Sequence, residues 1–177
     1  MEEFIRNHLA HVLAGLLLIA RLGDIGSTFL VSPSLKLEAN PIVRKLGWRF
    51  AVLTLLVCLV PYWSVEMGVA VLVPSLLVSA SNIGKVWVVR AYGEAEYAAL
   101  LVELARRSKL RHALGGLYAS CAFVLLAGVV LLMLAGGEEG GLAHWFGIGV
   151  VLYAFVVALH GSFAYRRIFR TARGRAA

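Results

Sequence analysis

Several charged and polar side chains lie within apolar stretches, where ionised groups are costly and usually functional. Arg21, Asp24 and Thr28 are spaced i, i+3 and i+7 in the first stretch, so they share one helix face. Asn82 and Lys85 repeat the i, i+3 spacing in a later stretch. A carboxylate, an amide and cations in such positions can bind a polar or cationic group. These residues are therefore the first candidates for a functional site.

Two further stretches add polar groups. Tyr118 lies near the start of the fourth stretch and His160 near the end of the fifth. We expect a cavity that opens toward the cytoplasm and is lined by Asp24, Asn82, Lys85, Tyr118 and His160. The alternative is structural, with Arg21 and Lys85 neutralising Asp24 and the Lys85 amine extending to the interface.

A second signal follows the first apolar stretch, from Glu38 to Pro41. Asn40 before Pro41 is typical of a helix start, with Asn as the N-cap and Pro at the first helical position. This leaves Glu38 unexplained. We expect its carboxylate to point toward the mouth of the proposed cavity and to share the site with Asp24.

The combination Asp24-x3-Thr28 followed by Glu38-x-Asn40-Pro41 resembles a pattern in small, uncharacterised bacterial and archaeal integral membrane proteins. The similarity is confined to residues 24–41. It implies that Asp24, Thr28, Glu38, Asn40 and Pro41 act as one unit, and it brings no established activity with it.

The elements that position these residues follow from composition. The chain has 177 residues, of which 60% are hydrophobic and 15% are charged, and its mean hydropathy is +0.83. These values exclude most soluble enzyme folds. The apolar runs predict an all-α, polytopic transmembrane bundle, a single membrane domain over residues 1–177. Five spans are expected at about 9–31, 50–65, 67–89, 113–135 and 143–165, with a turn near Pro61–Glu66 between the second and third.

The net charge of +7 reflects orientation rather than nucleic-acid binding. Fourteen of the 17 basic residues fall in alternate connections and the tail: Lys36, Arg44, Lys45, Arg49; Arg90, Arg106, Arg107, Lys109, Arg111; Arg166, Arg167, Arg170, Arg173 and Arg175. The opposite side has Arg6 with Glu2, Glu3, Glu66, Glu138 and Glu139. The positive-inside rule then predicts a multi-pass protein of the inner cell membrane, with its N-terminus outside and its C-terminus inside. Anionic membrane lipids are expected partners.

The longest inside connection, about 91–112, has helical amphipathicity. One face carries Tyr97, Leu100, Leu101 and Leu104, and the other carries Glu103, Arg106 and Arg107. This pattern predicts a helix that lies on the membrane or extends a neighbouring span into the cytoplasm.

The polar residues at one depth favour binding or transport of a small polar or cationic solute. Five spans are few for alternating access, so a transporter of this size would form a homodimer. One alternative is a structural or assembly subunit of a membrane complex, since Gly115, Gly116, Gly147 and Gly149 permit close helix packing. Another is a membrane-embedded enzyme acting on a lipid or a transmembrane segment, although the chain has no recognised catalytic motif.

Residue types that bind two classes of cofactor occur in or near the predicted spans. Asp24, Glu38 and His160 include metal-ligand types, so a metal ion remains open. His11, His112, His144 and His160 flank the predicted spans and are typical of interfacial histidines, so we do not expect haem.

Overall fold

The computed structural model describes residues 2–38, 40–136 and 141–174, and these ranges contain helices and no strand. The helices are α1 (Glu2–Val31), α2 (Pro41–Leu46), α3 (Trp48–Leu53), α4 (Val60–Trp63), α5 (Val65–Tyr92), α6 (Glu94–Arg107), α7 (Leu110–Leu134) and α8 (Leu142–Gly174). The all-α prediction is confirmed. Glu138, Glu139 and Arg175, which were used to assign sides, lie outside the described residues.

Four helices are long and apolar enough to cross a membrane: α1 from His8 to Val31, α5, α7 and α8. Only 11% of the most apolar window of α7 is buried inside the structure, although α7 has the highest mean hydropathy of the four. Apolar side chains left facing outward in this way are suited to contact with lipid.

The segment predicted as the second span is shorter and irregular. Residues 48–63 consist of α3, a 3-10 helix (Thr54–Leu59) and α4. The turn predicted near Pro61–Glu66 lies at Ser64, whose hydroxyl accepts from the Met67 backbone N–H at 3.1 Å and caps α5. The structure thus has four long candidate spans and a shorter apolar segment where the fifth was expected.

Helices α1 and α5 are parallel neighbours. The Ser79 hydroxyl of α5 donates to the Ala20 carbonyl of α1 at 2.7 Å. Further along both helices, the Asn82 amide meets Asp24. The direction follows because both residue numbers rise together along the interface. Two parallel neighbours require the intervening chain to run back along their length.

Residues 48–63 make this return beside α1. Trp48 stacks edge-on against Phe29 with a centroid separation of 5.6 Å, and Thr54 bonds Arg21 near the middle of α1. Tyr62 contacts His11 with a centroid separation of 5.3 Å. From Phe29 to His11, α1 rises about 27 Å at about 1.5 Å per residue, so the return segment covers most of the length of α1.

The other long pair, α7 and α8, is antiparallel and packs through glycines. A Cβ on Gly147 of α8 would lie 2.9 Å from a Leu132 methyl carbon of α7. Gly149 faces the other way and approaches Val73 of α5 equally closely. The expected close packing is confirmed at these two glycines, whereas Gly115 and Gly116 face open space.

The amphipathic connection folds as α6 and docks on the far end of α8. Ala105 of α6 packs with Phe169 and Ala172 in a small buried cluster. Helix α8 has 33 residues, about 50 Å in length, so its last turns extend beyond a bilayer core of about 30 Å. Helix α6 is a separate helix and does not continue α5 or α7, the two neighbouring candidate spans.

Candidate polar site in the helix bundle

Asp24 uses both of its carboxylate oxygens. Oδ2 lies 3.1 Å from Arg21 Nη1, one helical turn earlier on α1. Oδ1 accepts a hydrogen bond from Asn82 Nδ2 of α5 at 3.0 Å. The Arg21 and Asp24 side chains are only 18% and 17% exposed. The contact places Asp24 and Asn82 at the same level of the helix bundle.

A third segment joins this group through Thr54. Arg21 Nη2 donates to Thr54 Oγ1 at 2.7 Å, and that hydroxyl donates to the Ala51 carbonyl at 2.5 Å. We call Arg21, Asp24, Thr54 and Asn82 the polar cluster. Sequence reasoning missed Thr54; its signal was that it is the sole aliphatic hydroxyl between Trp48 and Trp63.

One donor in the polar cluster lacks an acceptor. Arg21 Nε is buried and has no hydrogen-bond partner within the part of the chain that the structure describes. A buried N–H without an acceptor loses its hydration with no compensation, which costs about 1–3 kcal/mol and more for a charged group. The polar cluster therefore has room in its hydrogen-bonding pattern for one further acceptor atom.

Two buried serines lie one helical turn from the polar cluster, Ser27 after Asp24 on α1 and Ser79 before Asn82 on α5. Ser27 is buried, and its hydroxyl donates to the Asp24 carbonyl at 3.0 Å. Ser79 is also buried and donates to the carbonyls of Ala20 and Ser75. These small side chains satisfy their hydroxyls on backbone carbonyls, which lets α1 and α5 approach closely. On α5, Ser79 and Asn82 thus face α1.

Other predicted site residues lie elsewhere in the bundle. Lys85 is exposed on α5, and Asp24 is paired with Arg21 and Asn82 instead. The Thr28 backbone carbonyl accepts from the Ser32 N–H at 2.7 Å at the end of α1. Tyr118 OH lies 2.8 Å from Ser162 Oγ and joins α7 to α8. His160, half-buried, is two residues from that contact on α8.

The Glu38–Pro41 segment forms a local cap. Asn40 Oδ1 accepts from the Ile42 N–H at 2.9 Å, and Pro41 opens α2, as predicted for a helix start. Glu38 Oε1 accepts from the Asn40 N–H at 2.7 Å. The Glu38 carbonyl also accepts from Arg167 Nη1 of α8 at 3.0 Å. This carboxylate therefore organises its own loop.

Sequence reasoning also missed Glu94, at the start of α6, which holds the loop that follows α1. Its carboxylate accepts from the hydroxyls of Ser32 and Ser34 at 2.5 and 2.8 Å, and from the Lys36 N–H at 3.3 Å. Arg167 binds the same loop through the Lys36 carbonyl at 3.2 Å. We call Glu94 and Arg167 the loop clamp. The available signal was an acidic residue directly after Gly93, in the first turn of α6.

The loop clamp has a clear electrostatic consequence. Partial burial acts to raise the pKa of Glu94, but the hydrogen bonds from Ser32, Ser34 and the loop backbone outweigh it and hold the pKa below its usual value.

Inside the loop, buried Leu35 has a φ of 57°, a left-handed conformation uncommon for leucine. Its hydrogen bond to the Ser32 carbonyl and the loop clamp hold that conformation.

No three His, Cys, Asp or Glu side chains within residues 2–38, 40–136 and 141–174 are grouped closely enough to hold a metal ion. Asp24, Glu38 and His160 therefore do not form a three-ligand centre. No known family, curated protein or solved structure matches the chain. Functional inference thus depends on the geometry of the polar cluster.

Proposed function

We propose that the protein binds a small polar or cationic solute within the inner cell membrane, at the polar cluster. The supporting observation is a largely buried Arg21–Asp24 ion pair that connects three segments and leaves Arg21 Nε without an acceptor among the described residues. A buried ion pair is often no more stabilising than apolar side chains of the same size, and charges within a bilayer are costly. A ligand that binds these charges accounts for their position in the bilayer, whereas helix packing does not require them.

The geometry supplies a binding scheme. A cationic or N–H group of the solute competes with Arg21 for Asp24 Oδ2, while an acceptor atom of the solute takes the hydrogen bond from Arg21 Nε. Asn82, already 3.0 Å from Oδ1, keeps the carboxylate in place during this exchange. Binding then replaces one partner of Asp24 with another, so the carboxylate is never left unpaired in a low-dielectric site.

The test uses the purified full chain in neutral detergent. Its melting temperature is measured with sodium, methylammonium, guanidinium and glycine betaine, and any solute that raises it is followed into proteoliposomes. We expect Asp24→Asn to abolish the rise for the active solute. Ser79→Ala is the matched control, because it removes an uncharged contact between α1 and α5. Retained binding in Asp24→Asn would overturn the proposal, and so would an equal loss in both variants.

We also infer that residues 48–63 cross the membrane as a fifth span, with the N-terminus outside and the C-terminus inside. The support is the parallel arrangement of α1 and α5, together with the return segment that contacts α1 from Phe29 to His11. With this topology, 14 of the 17 basic residues lie in the cytoplasmic connections and tail.

Cysteine labelling tests the topology. In a chain with Cys58 and Cys121 replaced by serine, a cysteine at Ser64 should react with an impermeant maleimide added outside intact cells. A cysteine at Ser34 should react only after the cells are opened. Labelling of both positions from one side would contradict a fifth crossing.

A structural or assembly role is the second candidate. It is favoured by the extent of existing pairing, since both oxygens of Asp24 and both terminal nitrogens of Arg21 already have partners. This role predicts that Asp24→Asn changes assembly or stability while no tested solute shifts the melting temperature. A transport role, by contrast, predicts that the purified protein is a homodimer in detergent, because five spans are few for alternating access.

A further inference from the structure

A cavity of about 750 Å³ lies at the other end of the bundle from Ser64, where the end of α6, the start of α7 and the last turns of α8 meet. It is distinct from the polar cluster and shares no residue with it. Four basic side chains line it: Arg106, Lys109, Arg111 and Arg173. None of the described residues that line it is acidic. Its lining therefore favours an anion.

Most of this positive charge is uncompensated. Arg106 lies 3.6 Å from Glu103, a carboxylate that also accepts from Arg107 at 2.9 Å. Lys109, Arg111 and Arg173 are exposed, and none of the three forms an ion pair with another residue in the described ranges. At least three cations at the cavity thus remain available to a ligand.

Apart from Ser108, the rest of the lining is apolar, and it lies at the end of the candidate span α7. Ala105, Leu110, Phe169 and Ala172 contribute aliphatic and aromatic surface. Leu110 is the first residue of α7, one of the candidate spans. A basic rim above an apolar wall at this level matches an amphipathic anion, with its charged group at the rim and its hydrocarbon toward the bilayer.

We propose that this cavity binds an anionic phospholipid, with its phosphate between Lys109, Arg111 and Arg173 and its acyl chains along α7. The positive end of the α7 dipole adds to the attraction for phosphate. The apolar wall discriminates the lipid from free phosphate, which has no hydrocarbon to bury. The bound lipid would connect α6, α7 and α8 at the end where α8 leaves the membrane.

The experiment measures lipid binding to the full chain in neutral detergent by native mass spectrometry. The probes are phosphatidylglycerol, phosphatidylcholine and inorganic phosphate. We expect phosphatidylglycerol to bind at least tenfold more tightly than phosphatidylcholine, and inorganic phosphate at about 10 mM not to displace it. Each basic residue near anionic lipid contributes about fivefold in affinity, so Arg111→Gln with Arg173→Gln should weaken binding roughly 25-fold.

The matched control is Arg44→Gln with Lys45→Gln, which removes two exposed cations from α2, outside the cavity. It should change affinity less than twofold. Lys109→Gln alone, at an exposed position before α7, provides a mild second variant and should weaken binding about fivefold. The proposal is overturned by equal affinity for the two lipids, by displacement with inorganic phosphate, or by an equal loss in the control.

Discussion

The α1–α5 pair and the α7–α8 pair solve the same packing problem in different ways. The first is joined by hydrogen bonds from Asn82 and Ser79 of α5 to α1, where Asp24 is also paired with Arg21, and its helices run parallel. The second is antiparallel, and glycines bring its helices together, with Val151 filling the space beside Gly128. Lipid supplies little hydrophobic drive between helices, so either close packing or hydrogen bonding must hold each pair.

The difference separates packing from function. The α7–α8 pair shows that this chain can associate long helices through small residues and one uncharged hydrogen bond, without an ion pair among their described residues. The charges between α1 and α5 are therefore not needed to hold two helices together. Their presence is better explained by a task for Asp24 and Arg21, which is the basis of the proposed solute site.

The largest expected effect comes from breaking the ion pair on one side. Asp24→Leu leaves Arg21 buried without its carboxylate and should lower the free energy of unfolding by about 3 kcal/mol. The double variant Arg21→Leu/Asp24→Leu should recover most of that loss, since it removes both charges. Reversible unfolding in mixed detergent and SDS measures both. A double variant as unstable as Asp24→Leu would show that the Arg21–Asp24 ion pair itself stabilises the folded protein.

A side chain on the glycine interface tests the second pair. Gly147→Leu should cost about 2 kcal/mol by the same unfolding measurement, because its Cβ alone would crowd Leu132. Gly116→Leu, on the open side of α7, is the control and should leave stability nearly unchanged. Equal effects at both glycines would contradict the described packing.

Removing one uncharged hydrogen bond from the first pair should have a smaller effect. Ser79→Ala deletes the contact with the Ala20 carbonyl and should cost about 0.6 kcal/mol. Ser120→Ala is the comparison, because that exposed hydroxyl bonds only its own helix at Gly116. If Ser79→Ala costs as much as Asp24→Leu, the polar cluster is chiefly a packing device.

The smallest effect concerns the loop clamp and depends on pH. The pKa of Glu94 is lowered in the folded protein, so its carboxylate stabilises the fold at pH values above the usual pKa of 4.5. That contribution is lost as pH falls through the lowered pKa. Because the group is only half-buried and solvent screens its contacts, the loss should be only about 0.5 kcal/mol. Glu94→Gln should reduce the drop in melting temperature between pH 6.5 and 3.5, whereas Glu96→Gln on the same helix should not.

The sequence predicted each long helix and the pairing of Asp24 with Arg21, whereas Lys85, the other predicted partner, is exposed. Uninterrupted apolar runs define α1, α5, α7 and α8, because a bilayer imposes their length and composition. The alternation of basic residues predicts that α1 and α5 run in the same direction, and this direction brings Asn82 to the level of Asp24. The turn at Ser64 followed from the local chemistry of proline and polar residues.

What the sequence could not give was the rotation of each helix and the long-range contacts of its loops. Lys85 is one turn from Asn82, yet it is exposed, since the rotation of α5 is set by packing against α1 and α8. Glu94 and Ser32 meet across 62 positions of sequence, and nothing in either neighbourhood specifies the other. Thr54 lies in an apolar run without helical periodicity, so the sequence did not show which way its side chain faces.

The i, i+3 spacing of Arg21 and Asp24 has a consequence for biogenesis. Asn82 is synthesised 58 residues after Asp24, so α1 enters the membrane before its partner on α5 exists. The Arg21–Asp24 contact needs only one helical turn and no residue outside α1, so we expect it to form together with α1. Each charge thus enters the bilayer already neutralised by a neighbour on its own helix. The later arrival of Thr54 and Asn82 completes a pair that the nascent helix has carried from the beginning.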